Sequence, residues 1–132
     1  MRSLLFWIAA MAGAPAAAAQ APRVPVPIPA DDFGGCSTAY VFGLSDRGSE
    51  RYLSVRSKPS ARARELGRLR NGAAIFACVR DGDWFGIVYA DAAGVDCGVL
   101  GPQPAVRDYA GPCRSGWAHE RWIGGYADWI SP

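Results

Sequence analysis

The sequence has little of what catalysis or nucleic-acid binding commonly requires. Its 132 residues contain one histidine, and 14 basic residues, all but one of them arginine, are nearly balanced by 12 acidic residues. No run or patch of these charges stands out, so we expect no nucleic-acid partner. Apolar residues do not recur with helical spacing beyond the N-terminal segment, which argues against a helical fold.

The N-terminal residues follow the pattern of a cleaved signal peptide. Arg2 supplies a positive charge, residues 4–11 are apolar, and residues 17–19 are alanines that suit a cleavage site before Gln20. The apolar run is too short, and too soon interrupted by glycine and proline, to predict a membrane span. We therefore expect residues 1–19 to be removed and the protein to be periplasmic or secreted, with a retained N-terminal anchor as the alternative.

The four cysteines are interpreted in the light of that export. They form no CxxC pair and have no histidine at zinc-ligand spacing, so we expect neither a metal nor a redox site, and no cofactor. An even number of cysteines in an oxidising compartment favours disulfides, and four cysteines allow three pairings. The sequence alone does not choose among these. We favour Cys36–Cys78 with Cys97–Cys113, because the second pair brackets one loop.

Residues 20–35 have the composition of a linker. Four prolines alternate there with apolar or basic residues, a spacing that suits extended polyproline II structure. We expect a spacer after the signal peptide, with a docking motif as the alternative, and a folded domain over residues 36–132.

The domain is expected to be all-β, and its pattern is clearest at residues 53–60, LSVRSKPS. Leu53 and Val55 alternate with polar residues as in a half-buried strand, and Pro59 then prevents further pairing. Residues 65–69 continue the pattern before an Asn71-Gly72 turn. Further strands are predicted at residues 36–44, 116–118 and 122–123. With the two strands of the hairpin described next, this makes seven segments, for a fold that is expected to have five to six short strands.

A β-hairpin is predicted at residues 73–89. Two strongly apolar strands, 73–79 and 84–89, flank Asp81-Gly82, and both carry apolar residues on both faces. One face is expected to fill a core, so the other needs a cover. The glycine- and proline-rich insertion at residues 90–114, bracketed by Cys97 and Cys113, is the candidate for that cover.

The ordered motifs YLSVRSKPS, LGRLRNG, DGDWFGIVY and GWAHERWI resemble a bacterial SH3 domain (SH3b) over residues 36–123. The resemblance implies a small SH3-like barrel and a non-catalytic module that targets the cell wall by binding peptidoglycan or peptide segments in grooves between loops. The sequence departs from the family at residues 57–60 and in the cysteine-bracketed insertion. Both departures lie in loops of the kind that carry binding.

Aromatic and arginine side chains on such loops suit the binding of a peptide, because they offer large contact areas at low entropic cost. The alternative role is packing for the tryptophans and exposure to solvent for the arginines, while Tyr109 is expected either to pack on the barrel or to contact a ligand. The candidate ligand-binding residues are Arg56, Arg64, Trp84, Tyr109, Trp117 and Trp122.

We expect no enzymatic activity, because His119 sits beside Glu120 in a predicted turn and all four cysteines are expected to be oxidised. The expected function is recognition of peptidoglycan or its stem peptides by a monomer. The alternative is a disulfide-stabilised partner, an accessory subunit or an inhibitor, of an exported protein.

Overall fold

The structure is a computed structural model that describes residues 5, 9–11, 13, 24–32 and 34–127. The expected signal peptide and its cleavage site, and the last five residues, fall wholly or largely outside these ranges. Within the described ranges, no helix is long and apolar enough to cross a membrane.

The described chain is all-β, as predicted, with more strands than the five to six expected. Two 3-10 helices, Gly48–Arg51 and Glu120–Trp122, interrupt the strands. The strands are β1 (Pro27–Ile28), β2 (Ser37–Val41), β3 (Leu53–Arg56), β4 (Glu65–Leu69), β5 (Ala74–Asp81), β6 (Trp84–Tyr89), β7 (Arg107–Asp108), β8 (Arg114–His119) and β9 (Ile123–Gly124).

Seven strands form one antiparallel sheet in the order β4-β3-β8-β6-β5-β2-β9, and β1 pairs separately with β7. Within the described part of the chain β4 and β9 are edges, so the hydrogen bonds do not close a barrel. The predicted hairpin is present as β5 and β6, joined through Gly82 at a φ of 58°. A positive φ there suits glycine, which has no side chain to clash.

The first hydrophobic cluster lies on one face of the sheet. It includes Leu53 and Val55 of β3, Phe85 of β6 and Ile123 of β9, while Leu69 of β4 packs against it. Residues near both edges of the sheet therefore meet in one cluster, which requires a strongly curved sheet. The predicted alternation in β3 is confirmed, since Leu53 and Val55 are buried.

A second hydrophobic cluster covers the opposite face, as the apolar character of β5 and β6 required. The insertion contributes Val99 and Tyr109, and so acts as the expected cover. Residues 24–32, which were expected to be part of a spacer, also contribute to this second cluster, since Val26 and Ile28 are both fully buried. The described residues 24–32 are therefore part of the folded unit and not a linker.

Hydrogen bonds hold this N-terminal segment against the insertion. The amide of Tyr109 donates to the carbonyl of Val26 at 2.9 Å, and Asp31 and Gln103 exchange two backbone hydrogen bonds of 3.0 and 2.7 Å. A proline in a strand is tolerated where its missing amide hydrogen costs no ladder bond, as at an edge. The alternation of prolines with Val24, Val26 and Ile28 is thus the pattern of an edge strand with one buried face.

Gly86, in the middle of β6, allows the segment to lie close to the sheet. A Cβ atom at this position would lie 2.7 Å from Cγ1 of Val79 and 3.0 Å from Cγ1 of Val26. A side chain there would force Val79 to move and would press on Val26, so the close approach of the N-terminal segment depends on this glycine.

Both favoured disulfides are present. Cys36–Cys78 joins the start of β2 to β5, and Cys97–Cys113 closes the insertion. Cys36, Cys78 and Cys97 are buried in the second cluster, and Cys113 packs against it. Cys36–Cys78 therefore ties the chain after the N-terminal segment to the sheet, and Cys97–Cys113 closes the insertion over the second cluster.

Tyr89, at the end of β6, makes stability depend on pH in the alkaline range. Burial raises the pKa of its phenol above the ordinary value of 10.0, with the nearby Asp91 acting in the same direction and Arg114 opposing it. Above about pH 10 the unfolded chain loses this proton while the folded chain keeps it, so stability falls as pH rises. We expect Tyr89→Phe to make that fall shallower.

The measurement for Tyr89→Phe is urea unfolding of both proteins between pH 8 and 11. Their difference at pH 8 is subtracted, because it contains the effect of the hydroxyl group itself. A decline above pH 10 that is equally steep in both proteins contradicts the assignment.

Candidate functional site

An open groove of about 240 Å³ crosses the outer surface of the sheet where β3, β8 and β6 lie side by side. Aromatic side chains dominate it. Its lining residues are Tyr52, Leu53, Ser54, Arg56, Ala61, Trp84, His119 and Trp122.

One wall of the groove is formed by β3, whose side chains point alternately to the two faces of the sheet. Because Leu53 and Val55 face the first cluster, Ser54 and Arg56 face the opposite way. Tyr52 precedes the strand with an extended backbone, φ −141° and ψ 154°, so the alternation continues through it. The alternation thus presents Tyr52, Ser54 and Arg56 to the groove, which the largely buried Leu53 also borders.

The floor is formed by a pair of rings from adjacent strands. Trp84 of β6 and His119 of β8 are register partners, and their rings meet edge to face with centroids 5.3 Å apart. Nδ1 of His119 accepts a hydrogen bond of 3.1 Å from the amide of Arg121. In the neutral ring Nε2 then carries the hydrogen, which makes it a donor.

Trp122 closes the groove from the second 3-10 helix. The guanidinium of Arg121 lies 4.7 Å from the centre of the Trp122 ring. The carbonyl of Trp122 accepts a hydrogen bond of 2.9 Å from the amide of Phe42. This backbone hydrogen bond joins the helix to the chain that follows β2, so Phe42 and Arg121 together hold the Trp122 indole in place.

Arg56 shapes the lip of the groove. Its Nη1 donates to the carbonyl of Ala63 at 3.0 Å, and the amide of Ser57 donates to the carbonyl of Arg64 at 2.9 Å. These bonds close the loop at residues 57–64, which brings Ala61 to the groove. Arg56 keeps its remaining guanidinium hydrogens for other acceptors.

The charge of Glu65, on β4 beside the β3 wall of the groove, is neutralised by a neighbouring arginine. The Ser54 hydroxyl donates to Glu65 at 2.6 Å, and Arg68 pairs with the same carboxylate at 2.7 Å. These two contacts, the hydroxyl first, lower the pKa of Glu65. The guanidinium of Arg68 also lies 4.0 Å from the centre of the Tyr52 ring, so it supports the aromatic wall.

The structure brings together three of the six predicted ligand-binding residues. Arg56, Trp84 and Trp122 line the groove, whereas Arg64 is exposed on the loop outside it. Trp117 and Tyr109 are buried in the second cluster, and the Tyr109 hydroxyl donates to the carbonyl of Cys97 and accepts from the amide of Cys113, each at 3.0 Å. Their position is that of packing residues.

Sequence reasoning missed Tyr52 and His119 as groove residues. Tyr52 could have been found, because it continues the exposed half of the alternation in β3. His119 was assigned to a turn, but β8 extends to it and pairs it with Trp84. No local pattern indicates that pairing, since the two residues are far apart in sequence.

The described residues include no group of three or more histidine, cysteine, aspartate or glutamate side chains placed to hold a metal ion. All four cysteines are disulfide-bonded. No family model, curated protein or solved structure matches the chain.

Proposed function

We propose that the protein is a non-catalytic binding module of the bacterial SH3 type, and that its aromatic groove recognises peptidoglycan through the stem peptides. The observation that carries the proposal is the groove itself, which is lined by Tyr52, Trp84, His119 and Trp122. Rigid aromatic surfaces give large contact areas at low entropic cost.

The positions of the SH3b-like motifs support the proposal. They fall on β3, β4, the β5–β6 hairpin, and the chain from β8 to β9, and these strands pair within one sheet. The groove lies between the loop after β3 and the helix before β9, which fits the expectation, drawn from the resemblance, of a peptide-binding groove between loops.

Export belongs to the same proposal. Two disulfides suit an oxidising compartment, and residues 1–19 carry the features of a signal peptide. An exported module of this kind would meet the cell wall in the periplasm or outside the cell.

The test is sedimentation with purified, protein-free sacculi. We expect the protein to co-sediment, and Trp84→Ala to weaken binding about tenfold, the effect of removing a central aromatic contact. Tyr52→Ala, on the opposite wall, should weaken it in the same direction.

Tyr40→Ala is the matched control, because Tyr40 is an exposed aromatic residue of β2 outside the groove. It should bind as the unaltered protein does, and circular dichroism checks that each variant is folded. A protein that stays in the supernatant at high concentration overturns wall recognition.

A further inference from the structure

Side chains of opposite charge lie just beyond the two sides of the groove. Beyond the β6 side, Asp81 of β5 is the register partner of Trp84, which is in turn the partner of His119. Directly paired residues in an antiparallel sheet point to the same face. Asp81 is therefore on the face of the groove, one strand beyond Trp84.

The acidic end is not neutralised by its neighbours. Arg80 alternates to the opposite face, where it lies over Phe85 and pairs with Glu120. Asp81 is exposed, and among the residues that the structure describes it has no ion-pair partner. Its carboxylate is therefore available to a cationic group.

Beyond the β3 side of the groove the loop is basic, which the overall charge of +2 conceals. Residues 47–70 hold eight basic and two acidic side chains. Besides Arg56, the loop beside Ala61 carries Lys58, Arg62 and Arg64, all exposed. Within the described ranges the last three make no ion pair.

The distance between the two ends sets the size of the ligand. From β3 to β5 the sheet order runs through β8 and β6, and three strand spacings span roughly 14 Å. An extended chain rises about 3.3 Å per residue, so about four residues cover that span.

We infer that the groove binds an extended peptide of about four residues whose charged ends have opposite signs. The carboxylate lies at Arg56 and the basic loop, the ammonium lies at Asp81, and the chain between them crosses Trp84 and His119. This inference rests on the proposed peptide-binding function and adds the length and direction of the ligand. A stem peptide that is still attached to the glycan has its amino end in an amide bond, so it is expected to bind as the acetylated peptide does.

The test is an NMR titration of the ¹⁵N-labelled protein with tetra-alanine, followed at the indole of Trp84. Acetylation of the amino end and amidation of the carboxyl end should each weaken binding about threefold, the effect of an exposed charge pair. Di-alanine, which is too short to reach both ends, should bind more weakly than tetra-alanine with either end capped.

Two variants assign the ends. Asp81→Asn should weaken binding of free tetra-alanine about threefold and leave binding of the acetylated peptide unchanged. Arg62→Gln should also weaken binding of free tetra-alanine about threefold, but should leave binding of the amidated peptide unchanged. Asp108→Asn, an exposed change on β7, is the matched control and should alter neither.

Equal affinities for free and capped tetra-alanine overturn the inference, as does absence of binding at millimolar peptide. Either result leaves the sacculus experiment to decide the proposed function, since wall recognition through the aromatic floor does not require charged ends. An acetylated peptide that still responds to Asp81→Asn also overturns the direction assigned here.

Discussion

Replacing Cys36 and Cys78 together by alanine is expected to lower the free energy of unfolding by about 4 kcal/mol. The bridge closes a sequence separation of 42 residues, and the loss follows from the chain entropy that the unfolded protein regains. Because a domain has a net stability of about 5–15 kcal/mol, this change removes a large share of it. Urea unfolding of the oxidised protein and of the double variant measures the difference.

The second disulfide provides the comparison. Cys97 and Cys113 are 16 residues apart, so replacing both should cost about 3 kcal/mol, less than the first pair. Losses below 1 kcal/mol for both pairs would contradict the role assigned to the bridges.

Ile28→Ala is expected to lower the free energy of unfolding by about 3 kcal/mol, as truncations of buried aliphatic side chains do. Ile28 is fully buried between the sheet and the insertion, and β1 pairs with β7. If the segment were a spacer, the same change would have almost no effect. The midpoint of urea unfolding, at unchanged slope, reports the loss.

Ala30→Ser is the matched control for Ile28→Ala, because Ala30 is exposed two residues further along the same segment. A surface change of this kind should stay within about 0.5 kcal/mol of the unaltered protein. Indistinguishable stabilities of the two variants would mean that the segment does not stabilise the fold.

The parts of the fold that depend on neighbouring residues could be predicted from the sequence. The alternation around Leu53 and Val55 indicated β3, and the apolar runs on either side of Gly82 indicated the hairpin. The need for a cover also followed, because strands that are apolar on both faces cannot leave one face in water.

The N-terminal segment differs from the spacer that its prolines predict, because two signals conflict in it. Its prolines indicate extended chain without pairing, while Val24, Val26 and Ile28 recur with the period of a strand. The backbone satisfies both, since β1 is two residues long and pairs on one side with a strand that is equally short. The burial of the valines and the isoleucine, together with the hydrogen bonds to the insertion, distinguishes it from a spacer.

The groove could not be predicted because its residues come from distant parts of the chain. Tyr52, Trp84 and His119 meet only when β8 lies between β3 and β6. No local pattern specifies that order, which depends on long-range pairing. The candidate residues chosen for their aromatic character alone therefore included Trp117 and Tyr109, which are buried.

The insertion leaves and re-enters the sheet at neighbouring points, since Tyr89 and Arg114 are register partners. Its length can therefore change without shifting any pair between β6 and β8, and a doubling would add about 0.6 kcal/mol of closure entropy. What limits variation is the surface beneath it, because a short turn would leave Val88 and Trp117 exposed to water. The pairing of β6 with β8 therefore sets no limit on the length of the insertion, whereas the second cluster requires an insertion long enough to cover it.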